Sequence, residues 1–206
     1  MAQVSTVIWD VGGVLLTNGW DRTQRQAVLD HFGVAREPFE TLHSQLYEAW
    51  EKDLITAEEY LQKTVFSEPR SFTPGDFLAK MEEQSVLLPN TAMEILEQVS
   101  ESDDLAVAML NNESRALNDY RLEKFGLFEY FDCFISSCYV GLRKPHPEIY
   151  KLALDLLQRD PDEVVFIDDR TANIEAAKKL GMYGIVHVTA AQTAEELDRL
   201  GVSVMA

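Results

Sequence analysis

An apolar run at residues 4–9, VSTVIW, stops on a single carboxylate, Asp10, and then turns through Gly12 and Gly13. A short apolar run bounded by glycine reads as a buried strand. The two glycines imply that something comes close to the backbone at this turn. The apolar stretches 105–110, 132–137, 163–167 and 183–188 also read as strands. Helical patterns at 114–126, 147–157, 171–181 and 193–201 alternate with them, and Pro147, Gly126 and Gly181 punctuate these helices. This alternation predicts an α/β fold, a doubly wound and mostly parallel sheet with helices on both faces.

Residues 21–86 break the rhythm. Helical patterns occupy 21–33, 38–53, 56–66 and 74–84, and no convincing strand lies among them. Thr56 with Glu59 three residues on predicts a capping box. The sheet unit resumes near Pro89 with a helix over 90–100. The predicted organisation is therefore a Rossmann-like core of residues 1–17 and 87–206 with an all-helical cap, 18–86, inserted after the first strand.

In open α/β sheets, ligands bind at the carboxyl ends of the strands. Four polar positions fall there: Asp10, the Asn111–Asn112 pair, the Asp168–Asp169 pair, and Lys144 in the loop GLRKPHPE. Taken singly, each has an ordinary alternative as a turn, cap or surface residue. Taken together, they occupy the same end of successive strands, which predicts one shared site. Acids gathered at one edge repel one another and imply a divalent cation. Oxygen donors without His or Cys favour Mg²⁺, which typically also binds a substrate phosphate. Lys144 adds a positive point charge. Such an assembly suits phosphoryl transfer, with an aspartate able to serve as nucleophile.

The formal net charge of −17 excludes nucleic acid and anionic membrane surfaces as natural partners. No run of about eighteen apolar residues predicts a membrane span, and no signal-peptide pattern is evident. Cys133 and Cys138 make no CxxC pair and read as small core residues in a reducing compartment. A cytoplasmic protein acting on a small phosphorylated molecule is expected.

These residues resemble the haloacid dehalogenase-like (HAD) superfamily of hydrolases. WDVGGVLL resembles its first motif, MLNNE the second, GLRKPHPEIY the third and FIDDRTANIEAAKKLGM the fourth. The helical insert resembles the family's small cap. The sequence is similar to the branch with glucose-1-phosphatase-type enzymes and the N-terminal phosphatase domain of epoxide hydrolases. The resemblance implies that Asp10 is the nucleophile and a Mg²⁺ ligand, with the Gly12 carbonyl and Asp169 as further ligands. It implies that Asn111 and Asn112 hold phosphate oxygens, that Lys144 neutralises the nucleophile, and that Asp168 orients Lys144 or a water at the metal. Asn173 would complete the outer shell.

Two positions depart from that pattern. Asn111 stands where the family usually has Ser or Thr. Gly12 stands where its phosphatases usually carry a second Asp, which protonates the leaving alcohol and then activates water. General acid–base help of that kind is worth roughly 10²–10⁴-fold. A replacement from the segment 17–21 or from the cap, a good leaving group, or lost turnover are the open consequences. Trp20, Tyr47 and Trp50 are candidates for the substrate pocket, with a core role as the competing reading. A 2-haloacid dehalogenase would need no metal, and relatives of that type carry Ser in place of the fourth-motif acids. A non-catalytic binding module, motivated by Gly12 and Asn111, is the alternative from another class.

Overall fold

The computed structural model describes residues 3–89 and 92–204. Five strands, β1 (Thr6–Trp9), β2 (Ala106–Asn111), β3 (Cys133–Ser136), β4 (Val164–Asp168) and β5 (Tyr183–Val186), form one sheet. All pair in parallel, in the order β3-β2-β1-β4-β5. The chain winds outward from β1 through β2 to β3, then crosses to the other side of β1 for β4. The reversal places a crevice at the carboxyl ends of β1 and β4. Trp9 is in register with both Met109 and Ile167, so Asp10 emerges at that crevice.

Ten helices are described: α1 (Arg22–Phe32), α2 (Arg36–Glu51), α3 (Ala57–Thr64), α4 (Pro74–Glu82), α5 (Ala92–Ser100), α6 (Arg115–Lys124), α7 (Ser137–Val140), α8 (Pro147–Leu157), α9 (Thr171–Lys178) and α10 (Ala190–Arg199). Every residue of β1 and β4 is buried, as parallel strands covered on both faces require. Alternate side chains feed two cores. Val7, Trp9, Val165 and Ile167 pack with Leu96 of α5 and Leu197 of α10. Ile8, Val164 and Phe166 pack with Tyr150 of α8 and Ile174 of α9. The doubly wound parallel sheet expected from the alternation is the observed fold.

α1 to α4 follow β1 and precede α5, and no strand occurs between β1 and β2 among the described residues. They have a third core of their own, which includes Trp20, Leu29, Phe39, Trp50, Tyr60 and Phe77, and which Leu117 of α6 joins from the sheet unit. The chain leaves and re-enters the sheet unit side by side. Leu16 bridges Leu87, Thr17 N donates to Val86 O at 2.9 Å, and Leu88 N donates to Leu15 O at 3.0 Å.

The Thr56–Glu59 capping box forms, and Pro147 opens α8. A second box, Thr73 with Asp76, also forms. The strand expected over 132–137 ends at Ser136, because Ser137 begins the short α7. The last helix starts at Ala190, not 193, because the Thr189 hydroxyl accepts from Gln192 N and caps it earlier. Asn90 and Thr91 of the expected helix over 90–100 lie outside the described residues, and α5 is described from Ala92. Among the described residues, no helix is long and apolar enough to cross a membrane.

The separate helical core makes a stability prediction. Phe77 is fully buried, with ring contacts to Trp20 at 6.1 Å and Phe32 at 5.2 Å, whereas Leu54 is 71% exposed. Phe77→Ala is expected to cost about 3–5 kcal/mol in urea denaturation, and Leu54→Ala about 0.5 kcal/mol or less. Equal losses would contradict this packing.

Candidate active site

Asp10 is fixed by the end of β1. Its N–H donates to Ile167 O at 2.8 Å, and its Oδ1 accepts from Val11 N at 2.8 Å. Lys144 enters from the loop before α8 and is 2% exposed. Its ammonium has three donors, and three acceptors surround it. They are Asp10 Oδ1 at 2.9 Å, Asp168 Oδ2 at 2.7 Å and Leu110 O at 2.8 Å. Burial alone would lower the Lys144 pKa, but the charges of Asp10 and Asp168 outweigh it and hold the ammonium above its ordinary value. Burial pushes Asp10 up to about 7 against the pull of Lys144, and the neighbouring charges of Asp168 and Asp169 add to the rise.

Asp168 is fully buried and fully engaged. Besides Lys144, it accepts from Arg170 N at 2.8 Å and from Asn173 Nδ2 at 2.9 and 3.0 Å. It therefore acts on Lys144, and Asn173 acts on Asp168. One oxygen from each of Asp10, Asp168 and Asp169 lies within 4.8 Å of the others. With Asp168 committed elsewhere, the oxygens open to a cation belong to Asp10 and Asp169. Among the described residues, Asp169 Oδ1 is buried without a hydrogen-bond partner, while Oδ2 has only the distant Asn18 Nδ2 at 3.5 Å. A buried carboxylate oxygen without a donor is costly unless a cation completes it. Burial raises the Asp169 pKa, and the Asp168 charge adds to it. An oxygen-only donor set with an orphaned carboxylate fits Mg²⁺.

The glycines of the first turn make room for protein groups. Gly13 has φ +76°, and a Cβ there would lie 2.2 Å from Asp169 Oδ2. Gly13 is what lets Asp169 reach the end of β1. A Cβ on Gly12 would lie 2.9 Å from Asn18 Oδ1, so Asn18 fills the space beside the position where an acid is missing.

The asparagines divide. Asn112 does not present its side chain to the cavity as a free phosphate donor. Its Nδ2 donates to Lys144 O and its Oδ1 accepts from Lys144 N, both at 2.8 Å, so it clamps the Lys144 backbone. Asn111 Nδ2 donates to Asn118 Oδ1 at 2.9 Å, and its own Oδ1 is buried without a partner among the described residues.

A cavity of about 530 Å³ lies between the sheet edge and the inserted helices. Asp10, Gly12, Asn111, Asn112, Lys144 and Asn173 line one side. Trp20, Tyr47 and Trp50 line the other, and Trp20 and Trp50 belong to the helical core as well, so pocket and core are one surface there. Several cavity residues escaped the sequence reading, Arg143 and Glu113 among them. Arg143, next to Lys144, joins Glu51 at 2.7 Å and Glu48 at 3.2 Å across to α2, with its guanidinium 5.0 Å from the Tyr47 ring centre. Glu113, next to Asn112, pairs with buried Arg121 at 2.9 Å. Both lie within motifs already quoted, MLNNE and GLRKPHPEIY, which was the available signal.

The model of the haloacid dehalogenase-like hydrolases matches residues 4–181. Flavin mononucleotide hydrolase 1 of Arabidopsis thaliana is 31% identical over 180 residues, which is 87% of this chain and 72% of that protein. Bifunctional epoxide hydrolase 2 of Rattus norvegicus is 43% identical over 74 residues, 36% of this chain but only 13% of that much longer protein. A HAD family enzyme from Bacteroides thetaiotaomicron superposes with a TM-score of 0.80 at 23% identity, over 91% of this chain and 95% of that one. That likeness concerns the fold. By its family match and by its similarity to the Arabidopsis hydrolase, this chain belongs to the haloacid dehalogenase-like hydrolases.

Proposed function

We propose that the protein is a Mg²⁺-dependent phosphatase of a small phosphorylated metabolite, a sugar phosphate being the favoured class. One observation carries this reading: Lys144 is bonded to Asp10 and Asp168 together, beside an Asp169 oxygen that has no partner. Relatives named as phosphatases support it, among them a phosphorylated carbohydrates phosphatase of Thermotoga maritima, 40% identical over 86 residues, which is 39% of that protein. The helical segment 18–86 acts as a cap over a core of 1–17 and 87–206. The cytoplasm is the proposed location.

Asp10 attacks the phosphorus of a bound monoester as the ester P–O bond breaks, forming an aspartyl-phosphate and expelling the alkoxide, which takes its proton from water. Water then attacks that phosphorus, and inorganic phosphate leaves with Asp10 restored. Asp10, the Gly12 carbonyl and Asp169 would hold Mg²⁺, which would supply charge neutralisation for the phosphoryl oxygens and the clustered acids. Lys144 offsets charge on Asp10 and the transferred group, with Asp168, Asn173 and the Asn112 clamp fixing its position. Asn111 meets the phosphate after its amide and that of Asn118 turn over together. That movement preserves their mutual hydrogen bond and brings the Asn111 nitrogen to where its oxygen lacks a partner. With Asn18 beside Gly12 in place of an acid, the chemistry favours leaving groups that depart without a strong general acid.

p-Nitrophenyl phosphate with Mg²⁺ is expected to be hydrolysed by the wild type, abolished by EDTA and by Asp10→Asn, and reduced at least about 10²-fold by Lys144→Ala. Equal backgrounds for wild type and Asp10→Asn would favour the non-catalytic binding module that Gly12 motivates. Metal-free halide release would favour the dehalogenase reading. A Mg²⁺ titration gives a second expectation. Asp169→Ala raises the Mg²⁺ concentration for half-activity by about tenfold or more, while exposed Asp162→Ala leaves it unchanged. Matching curves would contradict the assignment of Asp169.

A further inference from the structure

Trp20, Tyr60 and His43 come from three separate segments of the helical insert and form one hydrogen-bonded chain. Trp20 Nε1, a donor only, donates to Tyr60 Oη at 3.0 Å. Tyr60 Oη lies 2.9 Å from His43 Nδ1. Tyr60 is fully buried, so its hydroxyl proton needs a partner, and His43 Nδ1 is the acceptor within reach. Nδ1 therefore accepts, and the proton of the neutral ring sits on Nε2. His43 lines the cavity, and its Nε2 makes no hydrogen bond with the described residues.

The charged surroundings keep the ring neutral. Burial pushes the His43 pKa from 6.5 to about 4, and Arg25 of α1 adds to that shift. Glu40 on its own helix and Asp21 before α1 oppose it. Tyr60 of α3 and Tyr47 of α2 complete the wall around the ring. Two cavity arginines beside the ring's neighbours are already neutralised. Arg25 holds Glu40 in a bidentate pair at 2.9 and 3.0 Å, and Arg143 holds Glu48 and Glu51. An additional phosphate or carboxylate placed at Arg25 or Arg143 would have to displace these carboxylates.

We infer that His43 reads the leaving group. Its Nε2–H donates to an uncharged acceptor oxygen, hydroxyl or carbonyl, on the part of the substrate that departs with the ester oxygen, and Trp20 and Tyr60 hold the ring in that tautomer. The inference rests on the phosphatase reading and names its substrate class as monophosphates of neutral, oxygen-bearing alcohols. His43 is a specificity residue, since a neutral imidazole N–H is too weak an acid to replace the one missing at Gly12.

Two measurements test it. Nitrogen NMR of ¹⁵N-histidine protein should show His43 as the neutral Nε2–H tautomer from about pH 8 to about pH 5.5, with Tyr60→Phe giving mixed tautomers. A wild-type Nδ1–H ring, or an unchanged pattern in Tyr60→Phe, overturns the lock. In kinetics with Mg²⁺, glucose 1-phosphate is set against phenyl phosphate, whose leaving group has no further acceptor. His43→Leu should lower the ratio of their kcat/KM values by about tenfold, mainly through the KM of the sugar phosphate, and His43→Gln should restore most of it. An unchanged ratio, or no recovery with Gln, overturns the inference while leaving the phosphatase reading intact. Absence of turnover of both esters by the wild type overturns both.

Discussion

A lysine ammonium held at the meeting point of three strand ends organises this protein. Lys144 satisfies its three donors with Asp10 after β1, Leu110 in β2 and Asp168 at the end of β4, and it does so almost wholly out of water. Replacing a buried ion pair by apolar residues is often neutral or stabilising, so such a pair is weak evidence for stability alone. What the arrangement does achieve is placement. One positive charge lies against a carboxylate at the floor of a cavity, with its backbone clamped by Asn112 and its acidic partner held by Asn173. The parallel sheet makes this possible, because it brings the carboxyl ends of β2, β1 and β4 side by side.

The inserted helices supply the other wall. Trp20 and Trp50 of their own aromatic core line the cavity together with Tyr47 and His43. Arg143 spans from the sheet unit to Glu48 and Glu51 of α2, and Asp53 just beyond α2 reaches Arg115 of α6 at 2.7 Å. The cavity is thus walled by two units joined by charged contacts.

Much of this was legible in the chain, and the limits have physical causes. Asp10, Asp168 and Asp169 were visible because a polar residue after a buried strand is locally anomalous, and Lys144 because its loop GLRKPHPE leads into a helix beside them. The sheet was visible because apolar runs and helical periods alternate. The role of Asn112 was not, since its partner Lys144 lies 32 residues away and only the folded loop makes the clamp. The glycines were legible as a close approach, but the approaching groups are Asp169 and Asn18. The Trp20–Tyr60–His43 chain left no local mark, its members being 17 and 40 residues apart. The Thr189 cap was a detectable signal that the apolar spacing of the last helix obscured.

The phosphoryl group itself is the most direct reporter of the role of Asp10. Wild-type protein turning over p-nitrophenyl phosphate with Mg²⁺ is quenched in acid, digested and analysed by mass spectrometry. A phosphoryl adduct on the peptide containing Asp10, absent from Asp10→Asn, is the expected result. Turnover with the adduct on another residue, or with no adduct in rapid-quench samples across the first turnover, would contradict Asp10 as the nucleophile.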